Sequence, residues 1–308
     1  MEQSPTRGQI ALVLLLGLLW GLNWPAVKIA LAAFGPWSLR AAALSIASLA
    51  LLAFTLGRGG TMLLRRVQWW RIALPAVLAI AAPNILIAHA QLSAPTGRIA
   101  VVAFTMPVWA TILARLILGE TLDKRRLLGL ALGIAGLVAL GWPLVVAGEL
   151  SFGLLLAFLA ALCWAAGTVL LKRFPSEATP LAFATWQLII GAGCAIAGML
   201  IFEGLPSVWS LSAPTLLAFA YHTVLGQALA TVLWFEVVTK IPASIAALGT
   251  LTVPAVGVAS AMLILGEQPT VADHFGLALI MAAACTVLLP SGGASELTRG
   301  TAPGVLKP

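Results

Sequence analysis

Polar side chains interrupt two long apolar segments of this chain, and they are the residue types best suited to chemistry there. They are Asn84, His89 and Gln91 in the first segment and Tyr221, His222, Thr223 and Gln227 in the second. Amides and hydroxyls hydrogen-bond a solute, and a histidine can also carry a proton near neutral pH. Because polar groups are costly in apolar segments, we predict that Asn84, Tyr221 and Gln227 line a solute cavity. His89 and His222 are either proton-coupling groups or hydrogen-bonded contacts between helices.

A third polar position lies in the first apolar segment. Trp20, Asn23 and Trp24 have helical i, i+3 and i+4 spacing, so they share one helix face. A buried asparagine needs hydrogen-bond partners, which favours a face turned towards protein or a cavity rather than lipid. Trp164 stands at the matching position of a weaker copy of this motif. We predict that Trp20, Asn23, Trp164 and Trp109 complete the cavity lining, with core packing as the alternative for the tryptophans.

The elements that position these residues must lie in a membrane. The chain has 308 residues, of which 61% are hydrophobic and 9% charged, and its mean hydropathy is +1.06. A soluble domain of this length cannot bury so much apolar surface. The net charge of +7 is explained by basic cytoplasmic loops rather than by nucleic-acid binding.

The apolar segments predict an all-α integral membrane protein with ten transmembrane helices. A span needs about 20 apolar residues, and no segment alternates in polarity as a barrel strand would. The predicted helices are 9–30, 36–56, 69–91, 97–118, 126–146, 151–171, 180–202, 212–236, 243–265 and 272–290.

An internal repeat divides these helices into two groups of five. Residues 94–137 align with 241–284 at a constant offset of 147, and the letters LILGE occur at both 116–120 and 263–267. Earlier matches, at an offset of 144, are Trp20 with Trp164, Lys28 with Lys172 and Pro36 with Pro180. An odd number of spans inverts the second copy. Inverted repeats typically enclose a solute path and work by alternating access.

The distribution of lysine and arginine predicts the orientation. Only Lys28, Arg40 and Arg98 fall on the outer side if both termini are cytoplasmic, as the positive-inside rule requires. We therefore expect a first five-helix repeat at 1–147 and a second, inverted repeat at 148–290. Residues 291–308 are predicted to be a disordered cytoplasmic tail.

Three prolines lie deep inside predicted spans. Pro83, Pro107 and Pro254 each remove a backbone hydrogen bond and kink a helix. Pro107 and Pro254 match at the repeat offset, so both halves are expected to bend at the same point. We predict that the three prolines are hinges, with adaptation of packing as the alternative.

Several residue types are missing from the spans. The carboxylates Glu120, Glu236, Glu267 and Asp273 all lie near predicted span ends, whereas proton-driven carriers usually place one at mid-membrane. This favours a facilitator. There is no HExxH or GxSxG motif and no clustering of the three cysteines with histidine. We predict no enzyme activity, no cofactor and no metal.

The chain resembles the drug/metabolite transporter superfamily in its ten-helix EamA-like branch, over about residues 8–290. The resemblance rests on residues 20–24 followed by Lys28, and on Pro107 and Pro254, each followed by a Leu-Gly-Glu at 118–120 and 265–267. Within that branch it is most similar to YddG-type amino-acid exporters. The resemblance implies an inner-membrane, multi-pass exporter of amino acids, aromatic ones typically, with a central cavity between its halves.

The resemblance leaves alternatives of substrate and mechanism. One is export of a drug or another metabolite on the same fold, with proton coupling through a histidine, and another is lipid scrambling. The expected partners are a small-molecule substrate and the lipid bilayer, without nucleic acid, and the working expectation is a monomer.

Overall fold

The structure, a computed structural model, describes residues 7–63, 69–120, 124–148, 151–206, 211–234 and 243–288. Within these ranges the chain forms helices and no strand. The predicted tail, residues 291–308, lies outside the described residues. The helices are α1 (Arg7–Ala30), α2 (Pro36–Gly57), α3 (Trp69–Ser93), α4 (Thr96–Leu118), α5 (Lys124–Ala147), α6 (Phe152–Arg173), α7 (Pro180–Gly198, continued by a π-helical turn at Met199–Glu203), α8 (Ala213–Trp234), α9 (Ala243–Leu265) and α10 (Val271–Leu288).

Seven of these helices are long and apolar enough to cross a membrane: α1, α2, α3, α4, α6, α7 and α8. The other three contain shorter apolar stretches within the described residues, at Leu127–Pro143, Thr252–Leu265 and Val271–Ala283. Leucine side chains cover the bundle surface, as lipid contact requires. The chain is a multi-pass membrane protein.

The repeated LILGE letters form the same helix ending in both halves. Gly119 and Gly266 have left-handed backbone angles, with φ of 72° and 68°, which only glycine adopts without strain. The N–H of Glu120 then donates to the carbonyl of Ala114 (3.4 Å), and the N–H of Glu267 to that of Ala261 (3.3 Å). The repeat in the sequence is therefore also a repeat in the structure.

The helices of the two halves pack mainly against each other. α1 lies along α9, α2 along α7, α5 along α10, and α6 along both α3 and α4. Each of these pairs joins one half to the other, so the halves interdigitate. Small residues permit the close approach, as at Gly21, where a methyl group would meet the side chain of Val256.

The three prolines differ in their local structure. Pro107 follows a break in α4, where Phe104 and Thr105 form a turn between two helices. Pro83 comes directly after a π-helical turn at Val77–Ala81 of α3. Pro254 instead lies inside a continuous α9. Among the described residues only the first half has a broken helix at this point, and the hinge role of the three prolines stays a prediction.

The contact between α6 and the π-helical turn of α3 gives a test of this packing. A methyl group at Gly167 would lie 2.5 Å from the backbone nitrogen of Ala79 and 2.7 Å from its Cβ. We expect Gly167→Ala to lower the free energy of unfolding by about 1–3 kcal/mol, because backbone atoms cannot move aside easily. The measurement is the midpoint of thermal unfolding in detergent.

Gly193→Ala is the matched control for that substitution. Gly193 lies in the middle of α7 with nothing within 4 Å of the added methyl group, so this variant has the gain in helix propensity without the clash. Equal melting temperatures for the two variants would contradict the packing of α6 on α3.

Candidate functional site

Two π-helical stretches lie at equivalent places in the two halves. One is Val77–Ala81 in α3 and the other is Tyr221–Leu229 in α8, and their first residues are separated by the repeat offset of 144. Such stretches are rare and often occur at functional sites, because the wider turn disturbs the regular backbone hydrogen bonds. The polar residues predicted to line a cavity lie in or next to these stretches.

Two hydrogen bonds through Asn84 link the two stretches. The Nε2 group of Gln227 donates to Oδ1 of Asn84 over 3.1 Å, and Nδ2 of Asn84 donates to the carbonyl of Ile80 over 2.9 Å. Both amides are half-buried. They are 143 residues apart, close to the repeat offset, so they lie where the two halves meet.

A second chain of hydrogen bonds connects α2, α8 and α1. Nη1 of Arg40 lies 3.3 Å from Nε2 of His222, and Nδ1 of His222 lies 2.8 Å from Oδ1 of Asn23. A guanidinium only donates, so Nε2 accepts and the ring hydrogen is on Nδ1, which donates to Asn23. Arg40 and His222 are fully enclosed, whereas Asn23 is half-buried. Gly226 leaves room for this contact, because a methyl group there would overlap the amide of Asn23.

Aromatic side chains surround the polar residues on α1. The ring of Phe104, at the break in α4, is tilted against that of Trp24, with centroids 6.5 Å apart, and meets that of Trp164 edge-on at 6.3 Å. Trp20 packs 5.6 Å from Trp234. These rings form an apolar wall that runs from α1 through α4 to α6.

Four of the seven predicted lining residues come together, two lie to the side of them and one lies apart. Asn23, Asn84, Tyr221 and Gln227 share the contact between α1, α3 and α8, where the hydroxyl of Tyr221 donates to the carbonyl of Leu19 over 3.1 Å. Trp20 and Trp164 flank this group. Trp109 lies apart: its indole donates to Thr105 within α4 (3.1 Å), and its ring packs edge-on against Phe158 (5.1 Å).

The two predicted proton-coupling histidines have different surroundings. His222 is part of the chain from Arg40 to Asn23, with both ring nitrogens hydrogen-bonded. His89 bonds the carbonyl of Ile85 in its own helix over 2.8 Å and meets the ring of Trp37 at 5.7 Å. No hydrogen bond links the two histidines within the described residues.

Carboxylates close the predicted outer end of the bundle, where α2 and α4 begin. Glu267 accepts from the N–H groups of Thr96 (2.6 Å) and Gly97 (2.9 Å), the first residues of α4. Glu203 accepts in the same way from Trp37 (2.9 Å) and Ser38 (2.8 Å) in α2. Each glutamate belongs to the other half of the chain, so each bond ties the halves together at this end. A carboxylate also suits the positive end of a helix dipole.

Further polar contacts reinforce the same end. Arg98 donates to Asp273 at the start of α10 through two bonds of 2.7 and 3.1 Å. Lys28 donates to the carbonyl of Gln91, and the amide of Gln91 donates to the carbonyl of Trp24 over 3.2 Å. At the predicted outer end, the Arg98–Asp273 pair therefore joins the two halves, and the bonds of Lys28 and Gln91 join α1 to α3.

The opposite end also has a glutamate at the end of a helix. Glu120 is the repeat equivalent of Glu267, and Lys172 at the end of α6 lies 3.7 Å from its carboxylate. At the offset of 147, Arg126 replaces Asp273 and Ile245 replaces Arg98. The glutamate is thus kept in both halves, whereas the pair Arg98–Asp273 has no equivalent charges of opposite sign in the repeat.

Sequence reasoning missed Arg40 and Phe104 as parts of this region. Arg40 was counted with the outer basic residues, yet it is only 3% exposed. Its distance of four residues from Pro36, the start of α2, was the available signal, since that places it a full turn inside the helix. Phe104 could have been found as the residue nearest the break that Pro107 predicts.

A groove of about 550 Å³ lies away from these residues, between α4, α5 and α6, and includes Val102, Leu140 and Phe158 in its wall. It is largely apolar and is suited to lipid tails. Within the described residues, no group of three His, Cys, Asp or Glu side chains is placed to hold a metal ion.

Comparison with known proteins gives matches along nearly the whole chain. The profile of the EamA-like transporter family matches residues 8–142 and 151–289, one copy in each half. The Bacillus subtilis (strain 168) transporter YvbV is 29% identical over 294 residues, or 93% of each chain. The Escherichia coli (strain K12) inner membrane transporter YedA is 27% identical over 273 residues, or 88% of each chain.

Another Escherichia coli (strain K12) protein bears the name "Probable amino-acid metabolite efflux pump". It is 24% identical over 303 residues, which span 90% of this chain and 93% of that protein. A solved crystal structure superposes with a TM-score of 0.62 at 23% identity, covering 92% of this chain and 96% of the other. That likeness supports the helical fold.

Proposed function

The chain belongs to the EamA-like transporter family, and from this premise we propose that it exports amino acids or related small metabolites across the inner (plasma) membrane. The name of the Escherichia coli efflux pump supports amino-acid metabolites as the substrate class. The name of YedA supports the inner membrane as the location. The half-buried amides and aromatic rings between α1, α3, α4, α6 and α8 suit a solute with a polar end and an apolar or aromatic side chain.

The proposed topology has ten spans in two inverted repeats, at 1–147 and 148–290, with both termini in the cytoplasm. The interlocked helices α1 with α9 and α6 with α4 support this arrangement, because an inverted repeat relates the two pairs to each other. On this topology Arg7, Arg58 and Lys172 lie on the cytoplasmic side, as expected from the positive-inside rule.

The proposed mechanism is alternating access about the polar contact of Asn84 with Gln227. This contact carries the proposal, because it lies between repeat-related π-helical stretches at the meeting point of the halves. The difference between α4 and α9 supports the mechanism as well. Glu267 accepts hydrogen bonds from the start of α4 at the predicted outer end, and α4 is broken before Pro107 whereas α9 is continuous. In the opposite state we expect Glu267 to release α4.

The proposed carrier is a facilitator that runs down the gradient of its solute. Glu203, Glu267 and Asp273 lie at helix ends and accept hydrogen bonds there, so none of the three is a mid-membrane proton site. Proton coupling through His89 or His222 is the competing mechanism, and the transport assay separates the two.

The test is uptake of labelled amino acids into proteoliposomes, with and without an imposed pH gradient. Saturable uptake that equilibrates and is unaffected by the gradient is the expected result. Accumulation above equilibrium only with the gradient would replace the facilitator by a proton-coupled carrier. No uptake of any amino acid by folded protein would overturn the proposed substrate class.

A further inference from the structure

A buried positive charge lies beside the polar contact of α1 with α8. Arg40 is 3% exposed, and within the described residues its only hydrogen-bond partner is the neutral acceptor Nε2 of His222. Its Nε group is buried without any partner. A buried cation is costly unless an anion or several acceptors compensate it. We infer that Arg40, through His222 and Asn23, forms a site for the carboxylate of the transported solute, an inference that rests on the proposed function.

The hydrogen bonds carry the positive polarity of Arg40 towards the half-buried surface. Arg40 donates to His222, and His222 donates to Oδ1 of Asn23. In this series of hydrogen bonds, His222 and Asn23 each accept a hydrogen bond at one atom and carry a donor on another. Accepting a bond strengthens the donor of the same group, so the outermost donor is strengthened. That donor is the Nδ2 group of Asn23, whose side chain is half-buried while the two groups behind it are enclosed. A carboxylate that contacts Nδ2 of Asn23 meets the positive end of the chain.

The charge at this site fits one monoanion. The other two basic residues on the predicted outer side already have partners: Lys28 donates to the carbonyl of Gln91, and Arg98 pairs with Asp273. Arg40 is therefore the cation of this region that lacks a carboxylate partner among the described residues. A single guanidinium balances one carboxylate and would leave one of the two charges of a phosphate dianion uncompensated.

The surroundings of Asn23 suit the rest of an amino acid. Trp24 is the next residue, and its ring begins the aromatic wall that continues through Phe104 to Trp164. An apolar or aromatic side chain can lie on this wall while the carboxylate faces Asn23. The site accordingly distinguishes solutes by the carboxylate rather than by the side chain.

Competition on the unmodified protein tests the inference first. Uptake of labelled L-phenylalanine into proteoliposomes is measured against unlabelled 3-phenylpropionate, which keeps the carboxylate, and phenethylamine, which keeps the amine. We expect 3-phenylpropionate to inhibit at concentrations at least about tenfold lower than phenethylamine, because only it compensates Arg40. Equal inhibition, or stronger inhibition by phenethylamine, would overturn the carboxylate site. Absence of any phenylalanine uptake would instead count against the proposed function.

Substitutions then assign the effect to Arg40. Arg40→Gln is expected to raise the KM for phenylalanine by about tenfold or more and to abolish the preference for 3-phenylpropionate. The control is Arg58→Gln, which removes the same charge from the exposed far end of α2, and it should leave both properties unchanged.

Asn23→Asp is a second variant, in which a loss of affinity is not explained by a folding defect. The substitution keeps the volume and supplies the missing anion, so the protein is expected to remain as stable as the unmodified one or to become more stable while losing affinity for phenylalanine. A purely structural role for Asn23 predicts unchanged affinity. Retention of the carboxylate preference in both Arg40→Gln and Asn23→Asp would overturn the inference.

Discussion

Glu267→Gln is expected to open the predicted outer end of the bundle. Glu267 holds the first two N–H groups of α4 with a carboxylate, and the neutral amide has only one acceptor oxygen and no charge for the helix dipole. The loss of about 1–2 kcal/mol from the closed state should increase the open fraction by about five- to thirtyfold, since 1.4 kcal/mol is a factor of ten.

Thr96→Cys reports this opening. Thr96 is fully buried and its hydroxyl has no hydrogen-bond partner, so cysteine is a mild replacement there. Cys163, Cys194 and Cys285 are replaced by alanine in the same background. The rate of labelling by a water-soluble thiol reagent, measured in nanodiscs, is expected to rise about tenfold with Glu267→Gln.

Glu120→Gln is the matched control, because it removes the same group from the equivalent position at the other end. This variant leaves the hydrogen bonds of Glu267 to α4 intact, so labelling at Thr96→Cys should stay the same. Equal increases in the two variants would indicate general loosening of the bundle. An unchanged rate in Glu267→Gln would contradict a gating role for this carboxylate.

Gly226→Ala is expected to reduce transport by about tenfold or more. The added methyl group overlaps the amide of Asn23, which must rotate away from His222. The ring N–H of His222 is fully enclosed and would lose its acceptor, at a cost of about 1–3 kcal/mol. The measurement is the initial rate of amino-acid uptake per folded transporter, with Gly193→Ala as the control that adds a methyl group where space is free.

The effect of Gly226→Ala should be larger on transport than on stability. Alanine favours the helix more than glycine does, by about 1 kcal/mol, which offsets part of the lost hydrogen bond in the melting temperature. Full transport activity in this variant would show that the contact of Asn23 with His222 is dispensable.

The helices could be predicted from sequence because lipid imposes a length on each apolar segment. The predicted ranges 69–91 and 243–265 compare with Trp69–Ser93 and Ala243–Leu265 in the structure. The repeat could also be recognised, since Gly119 and Gly266 are required by the same left-handed helix ending. The different structures at Pro107 and Pro254 could not be predicted, because the same sequence pattern occurs in a broken helix in one half and in a continuous helix in the other.

The polar residues of the candidate site were visible because they stand out within apolar helices. Asn23, Asn84, Tyr221 and Gln227 were identified in this way, although their role as a lining stays a prediction. Arg40 was placed with the basic residues of the outer side, because counting basic residues uses position along the chain and ignores what packs around each residue. Whether an arginine is enclosed depends on how far it lies from the helix end and on which side chains of neighbouring helices pack against it.

The hydrogen bonds of Glu267 to the start of α4 could not be predicted from sequence, because they join two helices that are distant in the chain. Glu267 was noted only as a residue near a span end, since nothing in its own segment names the start of α4 as its partner. The repeated Leu-Gly-Glu at 118–120 and 265–267 marks both glutamates, but the hydrogen bonds of Glu267 to α4 appear only in three dimensions.

Counterflow tests the proposed transport cycle most directly. Proteoliposomes loaded with a high concentration of unlabelled phenylalanine are diluted into a trace of labelled phenylalanine, without a pH gradient. A facilitator that exposes one site alternately to each side should accumulate the label transiently above its external concentration, because internal substrate speeds the return of the site. The label should then decline to equilibrium. A monotonic rise to equilibrium without an overshoot, or no uptake by folded protein, would contradict the account.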